Sequence, residues 1–182
     1  LRNVHNDKEF VDYLNRIINE TFTDDYFKYS LTSDLITSST NSPAWNGYLA
    51  AINVLGTPML FSSTPASKYM LPGASGTKNA IDKHHIFPKH YLEEIGFNDD
   101  RDRNQIANFT YIDYQTNIDI GDDAPIEYVS RYKEKLGEYA YNLTLSQNAI
   151  PIGFENMSYE EFLEKRRQLM SNTIKEAFKK IS

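Results

Sequence analysis

The chain has no cysteine, which excludes disulfides and any zinc site built on thiolates. No stretch approaches 18 consecutive apolar residues, so no membrane-spanning helix is expected. No secretory signal is visible in these residues, and there is no internal repeat, no low-complexity run and no G-x-x-x-x-G-K-[ST] phosphate loop. Positive charge is short: 19 Lys and Arg against 25 Asp and Glu leave a net charge of −6. That argues against a protein coated in basic surface. The lack of thiols fits a reducing compartment, and a cytoplasmic location is expected. Asn-x-Ser/Thr sequons at Asn19, Asn108, Asn142 and Asn156 carry no weight there. Leu1 is not a natural start, so a fragment or a processed chain is expected.

What is present is enough for one domain. A chain of 182 residues buries roughly 70% of the surface its unfolded form exposes. The charge is unevenly spread. Residues 98–127 hold eight acids and two arginines, whereas residues 158–182 hold six bases and four acids.

Phe10, Val11, Leu14, Ile17 and Ile18 recur at helical spacing and predict a helix over 7–20. Residues 21–42 read as a short helix followed by a loop. Ser42-Pro43 reads as a cap and a first-turn proline for a helix over 44–55, and 56–80 as mostly loop. A strand is expected over 83–87, ending at Pro88, then a short helix over 89–95 stopped by Gly96. A charged loop over 97–105 leads to a second strand over 109–112 and a helix from 113 that Gly121 ends. Pro125 opens a helix to about 136, and a further helix covers 138–147. Ser158 with Glu161 forms a capping box for a long terminal helix, with Phe162, Leu163, Met170, Ile174, Ala177, Phe178 and Ile181 on one face. The expected fold is mainly α with a small β-hairpin. Residues 1–80 form an N-terminal helical segment packing on the core, 81–122 the hairpin unit, and 123–182 the C-terminal helices of the same domain.

Three of the four histidines, His84, His85 and His90, fall within seven residues. Adjacent side chains on a strand point to opposite faces. One imidazole can therefore hold a metal while its neighbour faces a substrate, although such pairs also arise by chance in surface loops. Two asparagines follow, Asn108 and, nine residues later, Asn117. The matching text is His84-His85-Ile86-Phe87-Pro88-Lys89 with Tyr91-Leu92, then Ile106-Ala107-Asn108, Asn117, and Ala124-Pro125-Ile126-Glu127-Tyr128-Val129. The tail Tyr159 to Arg167 adds to it. This constellation resembles the HNH, or ββα-metal, endonucleases, and most closely the C-terminal nuclease domain of GmrSD-type modification-dependent restriction enzymes.

The resemblance implies a ββα-metal (HNH) core embedded in a helical domain. It implies a metal-dependent endonuclease that hydrolyses DNA phosphodiester bonds within a larger bacterial restriction or phage-defence protein. The partners it implies are DNA, possibly modified, and an N-terminal nucleotide-dependent domain or subunit that is not part of this chain. His85 and Asn108 would be the catalytic pair, His85 as general base and Asn108 by tying the loop that orients it. His84 and Asn117 would hold one divalent metal. Many HNH sites carry a further histidine four residues after the third position, where this chain has Gly121. One imidazole and one amide oxygen suit zinc poorly and Mg²⁺ or Mn²⁺ better.

Lys89, Arg101 and Arg103 lie near the motif and are expected to contact phosphates. Asp82 is a possible additional metal ligand, and His90 reads as a surface residue. Asp99, Asp100 and Asp102 lack the glycine and terminal glutamate of a calcium loop and read as a solvated acidic loop. Lys165, Arg166 and Arg167 read as a solvated helix face, or else as a phosphate-contacting cluster. Two rival readings remain. One is a catalytically decayed HNH scaffold that binds nucleic acid or protein. The other is an all-helical interaction domain with an incidental histidine pair.

Overall fold

In the computed structural model, residues 6–70 and 81–181 are described. The expectation of loop over 71–80 lies outside them. Helix α1 (Asp7–Thr21) starts where the Asn6 side chain accepts from the Glu9 N–H, and none of its residues is buried. A π-helical turn (Tyr26–Ser30) leads into the short α2 (Leu31–Asp34). The Phe27 carbonyl in that turn accepts from the hydroxyls of Thr32 and Ser171, which account for a group the widened turn would strand.

Helix α3 (Pro43–Leu55) has the features its sequence predicts. Ser42 accepts from the Trp45 N–H, Pro43 occupies the first turn, and Gly56 ends the helix in the left-handed region. It buries Ala44, Trp45, Tyr48, Ala51 and Ile52. Its main partner is the terminal helix α10 (Tyr159–Ile181), which begins where Ser158 accepts from the Glu161 N–H. The one-turn α4 (Ser67–Met70) follows.

Strands β1 (Asp82–His85) and β2 (Phe109–Ile112) pair antiparallel, with His84 opposite Thr110 and His85 opposite Phe109. Between them lie α5 (Lys89–Glu94), the short α6 (Asp100–Arg103) and a 3-10 turn (Ile106–Asn108). Helix α6 occupies part of the stretch expected to be loop. Asp99 caps it through the Arg101 N–H, but four residues are too few to show a period. Helix α7 (Tyr114–Ile120) starts at Asp113, whose carboxylate accepts from both the N–H and the hydroxyl of Thr116. Helices α8 (Pro125–Leu136) and α9 (Glu138–Gln147) pack on each other.

The fold is thus mainly α with one two-stranded sheet. Residues from all three expected segments share a single core, including Leu35, Trp45, Ile86, Ile106, Tyr128, Leu145 and Phe162. Helix α1 is outside it. Among the described residues no helix is long and apolar enough to cross a membrane.

Candidate active site

Alternation along β1 sends His84 and His85 to opposite sides, and each finds a carboxamide. His84 Nδ1 lies 2.9 Å from Asn117 Oδ1, and His85 Nε2 lies 3.0 Å from Asn104 Oδ1. The pairing of the strands brings α7 beside β1 and so joins residues 33 apart in sequence. An all-helical fold is therefore excluded.

The two imidazoles differ in environment. His84 is buried, and burial pushes its pKa down to about 4; the Asn117 contact opposes this and the neighbouring His85 adds to it. Among the described residues His84 Nε2 is buried without a hydrogen-bond partner. His85 is half-buried and packs edge-on against Phe109, with ring centroids 4.7 Å apart. Its pKa is also lowered, by burial first and then by Lys89, Lys83 and Arg103, against the Asn104 bond. Both rings are neutral at pH 7. A carboxamide oxygen only accepts, so the bond to Asn104 puts the His85 proton on Nε2 and leaves a lone pair on Nδ1.

His84, His85, Asn117, Lys83, Lys89 and Asp122 line an open cleft of about 370 Å³. At roughly 30 Å³ per water, that is room for a hydrated cation and a phosphate together. A second opening of about 330 Å³ holds Ser38, Thr40, Arg101 and Asn104, and Lys83 borders both. A larger cavity of about 680 Å³ beside Phe61 and Leu143 has no titratable group in its lining and is no place for hydrolysis.

A divalent cation fits the His84–Asn117 pair. Without a cation, His84 Nδ1–H donates to the amide oxygen. In the other tautomer Nδ1 offers a lone pair beside that oxygen, and two cis ligands about 2.1 Å from an octahedral ion stand about 3 Å apart. The observed 2.9 Å matches that spacing. Among the described residues no group of three or more His, Cys, Asp or Glu side chains could hold a metal. Gly121 stands at the cleft mouth with φ 53° and ψ −125°, a backbone conformation that a side chain would strain.

Asn108 is fully buried, and its amide braces backbone with the Tyr159 hydroxyl beside it. Its Oδ1 accepts from the Phe87 N–H at 2.8 Å, and its Nδ2 donates to the carbonyls of Phe87 and Arg103. It is therefore a positioning residue, not a group that meets substrate. The loop it braces is also held from α10: Tyr159 Oη donates to the Asp102 and Arg103 carbonyls, and Arg166 Nη1 donates to the Ala107 carbonyl at 2.7 Å. Tyr128 Oη donates to the Ile86 carbonyl at 2.7 Å.

The expected phosphate contacts divide. Lys89 and Arg101 border the two openings, Lys89 with Asp100 3.4 Å away. Arg103 does not serve: it is buried and ion-paired with Glu93 and Asp100, so its charge is spent inside the fold. The basic residues on α10 divide. Lys165 is exposed beside Glu161, as a solvated helix face requires, whereas Arg166 is wholly buried and Arg167 is half-buried and donates to Gln105. His90 is exposed beside Glu94, as expected. Sequence reasoning missed Lys83, Asn104, Tyr128 and Tyr159. Lys83 was legible, because the residue before a functional pair on a strand shares a face with its second member. The others depend on tertiary contacts.

No family model, curated protein or solved structure matches the chain.

Proposed function

We propose that the chain is a metal-dependent nuclease domain of the HNH type that hydrolyses phosphodiester bonds, with DNA as its substrate and Mg²⁺ or Mn²⁺ as its ion. The observation that carries this reading is the division of labour between two neighbouring neutral imidazoles. One lies against Asn117 at the spacing of a ligand pair, and the other, with its Nε2 engaged by Asn104 and its Nδ1 left with a lone pair, lines the same cleft.

The chain's own groups account for most of the chemistry. Asn104 fixes the His85 tautomer, so Nδ1 is the nitrogen that takes the proton from attacking water. The depressed pKa keeps that nitrogen unprotonated at neutral pH. Lys83 and Lys89 flank the cleft and receive the phosphate. Asn108, Tyr159 and Arg166 hold the loop that carries Asn104. A divalent cation held by His84 and Asn117 would neutralise phosphate charge and stabilise the leaving oxygen. The larger protein and the nucleotide-dependent partner remain part of the same proposal.

The test is conversion of supercoiled plasmid to nicked and linear forms with Mn²⁺ or Mg²⁺. His85→Ala is expected to lower the rate about 10²–10⁴-fold with an unchanged circular-dichroism spectrum. The wild-type rate should rise with pH to a plateau, with an apparent pKa below the ordinary histidine value of about 6.5. Undiminished cutting by the variant refutes the base role. The rival reading, a decayed scaffold, is favoured by Gly121 where a ligand is often found, and it predicts DNA association without cutting by the wild type.

A further inference from the structure

We infer that Asp82 is a positioning residue that sets the amide orientation of Asn117 and, through it, the cation affinity of the cleft. The inference rests on the reading of His84 and Asn117 as a ligand pair.

Asp82 opens β1 opposite Ile112. Two residues from His84, it lies on the same face of the strand, the face turned to α7. Asn117 Nδ2 donates to Asp82 Oδ2 at 3.2 Å, while Asn117 Oδ1 faces His84 Nδ1. A carboxylate only accepts and an amide nitrogen only donates. Asp82 therefore permits one of the two amide orientations, the one that turns the oxygen to His84. A half-turn of the amide would set its oxygen against the carboxylate and its partly positive nitrogen at the ligand position. In the metal-free cleft the His84 Nδ1–H holds the same oxygen, and it gives up that hold when Nδ1 takes a cation. Among the described residues His84 Nε2 has no partner, whereas metal-binding histidines usually donate from the second nitrogen to a fixed acceptor. With a cation bound, the amide orientation would rest on Asp82.

The test is Mn²⁺ binding to the whole chain without nucleic acid, followed by loss of the free-ion electron paramagnetic resonance signal. Asp82→Ala should weaken binding about 10–100-fold, the range for groups that orient ligands. Asp82→Asn keeps an oxygen that accepts from Asn117 Nδ2 and should stay within a few-fold of wild type. In an Asn117→Ala background, Asp82→Ala should add no further loss. If Asp82→Ala fails to fold, Asp82→Thr suits a strand start, falls short of Asn117 and carries the same expectation. Unchanged affinity in the folded variant overturns the inference. So does an equal loss in Asp82→Asn and Asp82→Ala, because it shows that charge, not orientation, is what Asp82 supplies. Absence of Mn²⁺ binding by the wild type overturns the ligand reading itself, a separate failure.

Discussion

Single side chains decide the character of the cleft. His84 has a pKa of about 4 in the folded chain and about 6.5 when unfolded. Between those values the unfolded state binds a proton that the folded state refuses, so stability is complete above about pH 6.5 and declines as pH falls toward 4. The expected loss is roughly 3 kcal/mol, read as a falling urea midpoint between pH 7.5 and 4.5. His85 is shifted in the same direction and adds to it. His84→Ala should flatten most of that slope; an equally steep slope in the variant assigns it to other groups. Asn108 gives a second test. Asn108→Asp preserves shape but removes both donations, to Phe87 O and Arg103 O, and brings a carboxylate against two carbonyls. A loss of roughly 2–4 kcal/mol is expected by chemical denaturation; a shift under about 0.5 kcal/mol denies the residue its bracing role.

At the scale of elements, α1 stands apart. Its Phe10, Val11, Leu14 and Ile17 are each 38% exposed or more, and no residue of the helix is buried. Phe22, just beyond it, does pack, on Phe27 and Phe178. Removing the chain through Glu20 should therefore change stability by no more than about 1 kcal/mol, checked by urea unfolding; a larger loss would show that α1 is integral to the core. The periodicity that makes α1 legible as a helix says nothing of what its apolar face meets. The hairpin is more fully legible, because Phe109–Ile112 is bounded by an asparagine turn and the Asp113 cap. Helix α10 shows why charge misleads. Arg166 stands four residues from both Phe162 and Met170, so spacing places it on the apolar stripe, and the structure buries it there. The reading of a basic surface cluster follows charge alone, and the spacing is the better guide. The histidine–asparagine contacts at Asn117 were readable only through the family resemblance. Those at Asn104 and Asp82 need the strands already paired.

For the whole molecule, the balance of charge limits the grip on a polyanion. The chain carries a net −6, and the internal ion pairs of Arg103 leave Lys83, Lys89 and Arg101 as the cations lining the two openings. Each phosphate contact contributes about 0.9 to the salt dependence of binding to duplex DNA, so three give a log–log slope no steeper than about −3. Fluorescence anisotropy with His85→Ala and a short duplex, over a series of salt concentrations, measures it. A much steeper slope would mean that further basic surface is engaged. The pairing of β1 with β2 also has a consequence for how the molecule keeps its two histidines apart. A slip of one position along the ladder would turn every side chain of β1 over, and the imidazoles would trade places. The carboxamide of Asn108, joined to both the N–H and the C=O of Phe87, acts as one more rung past the end of the strand. A lone asparagine that never meets the solvent thus decides which histidine is which.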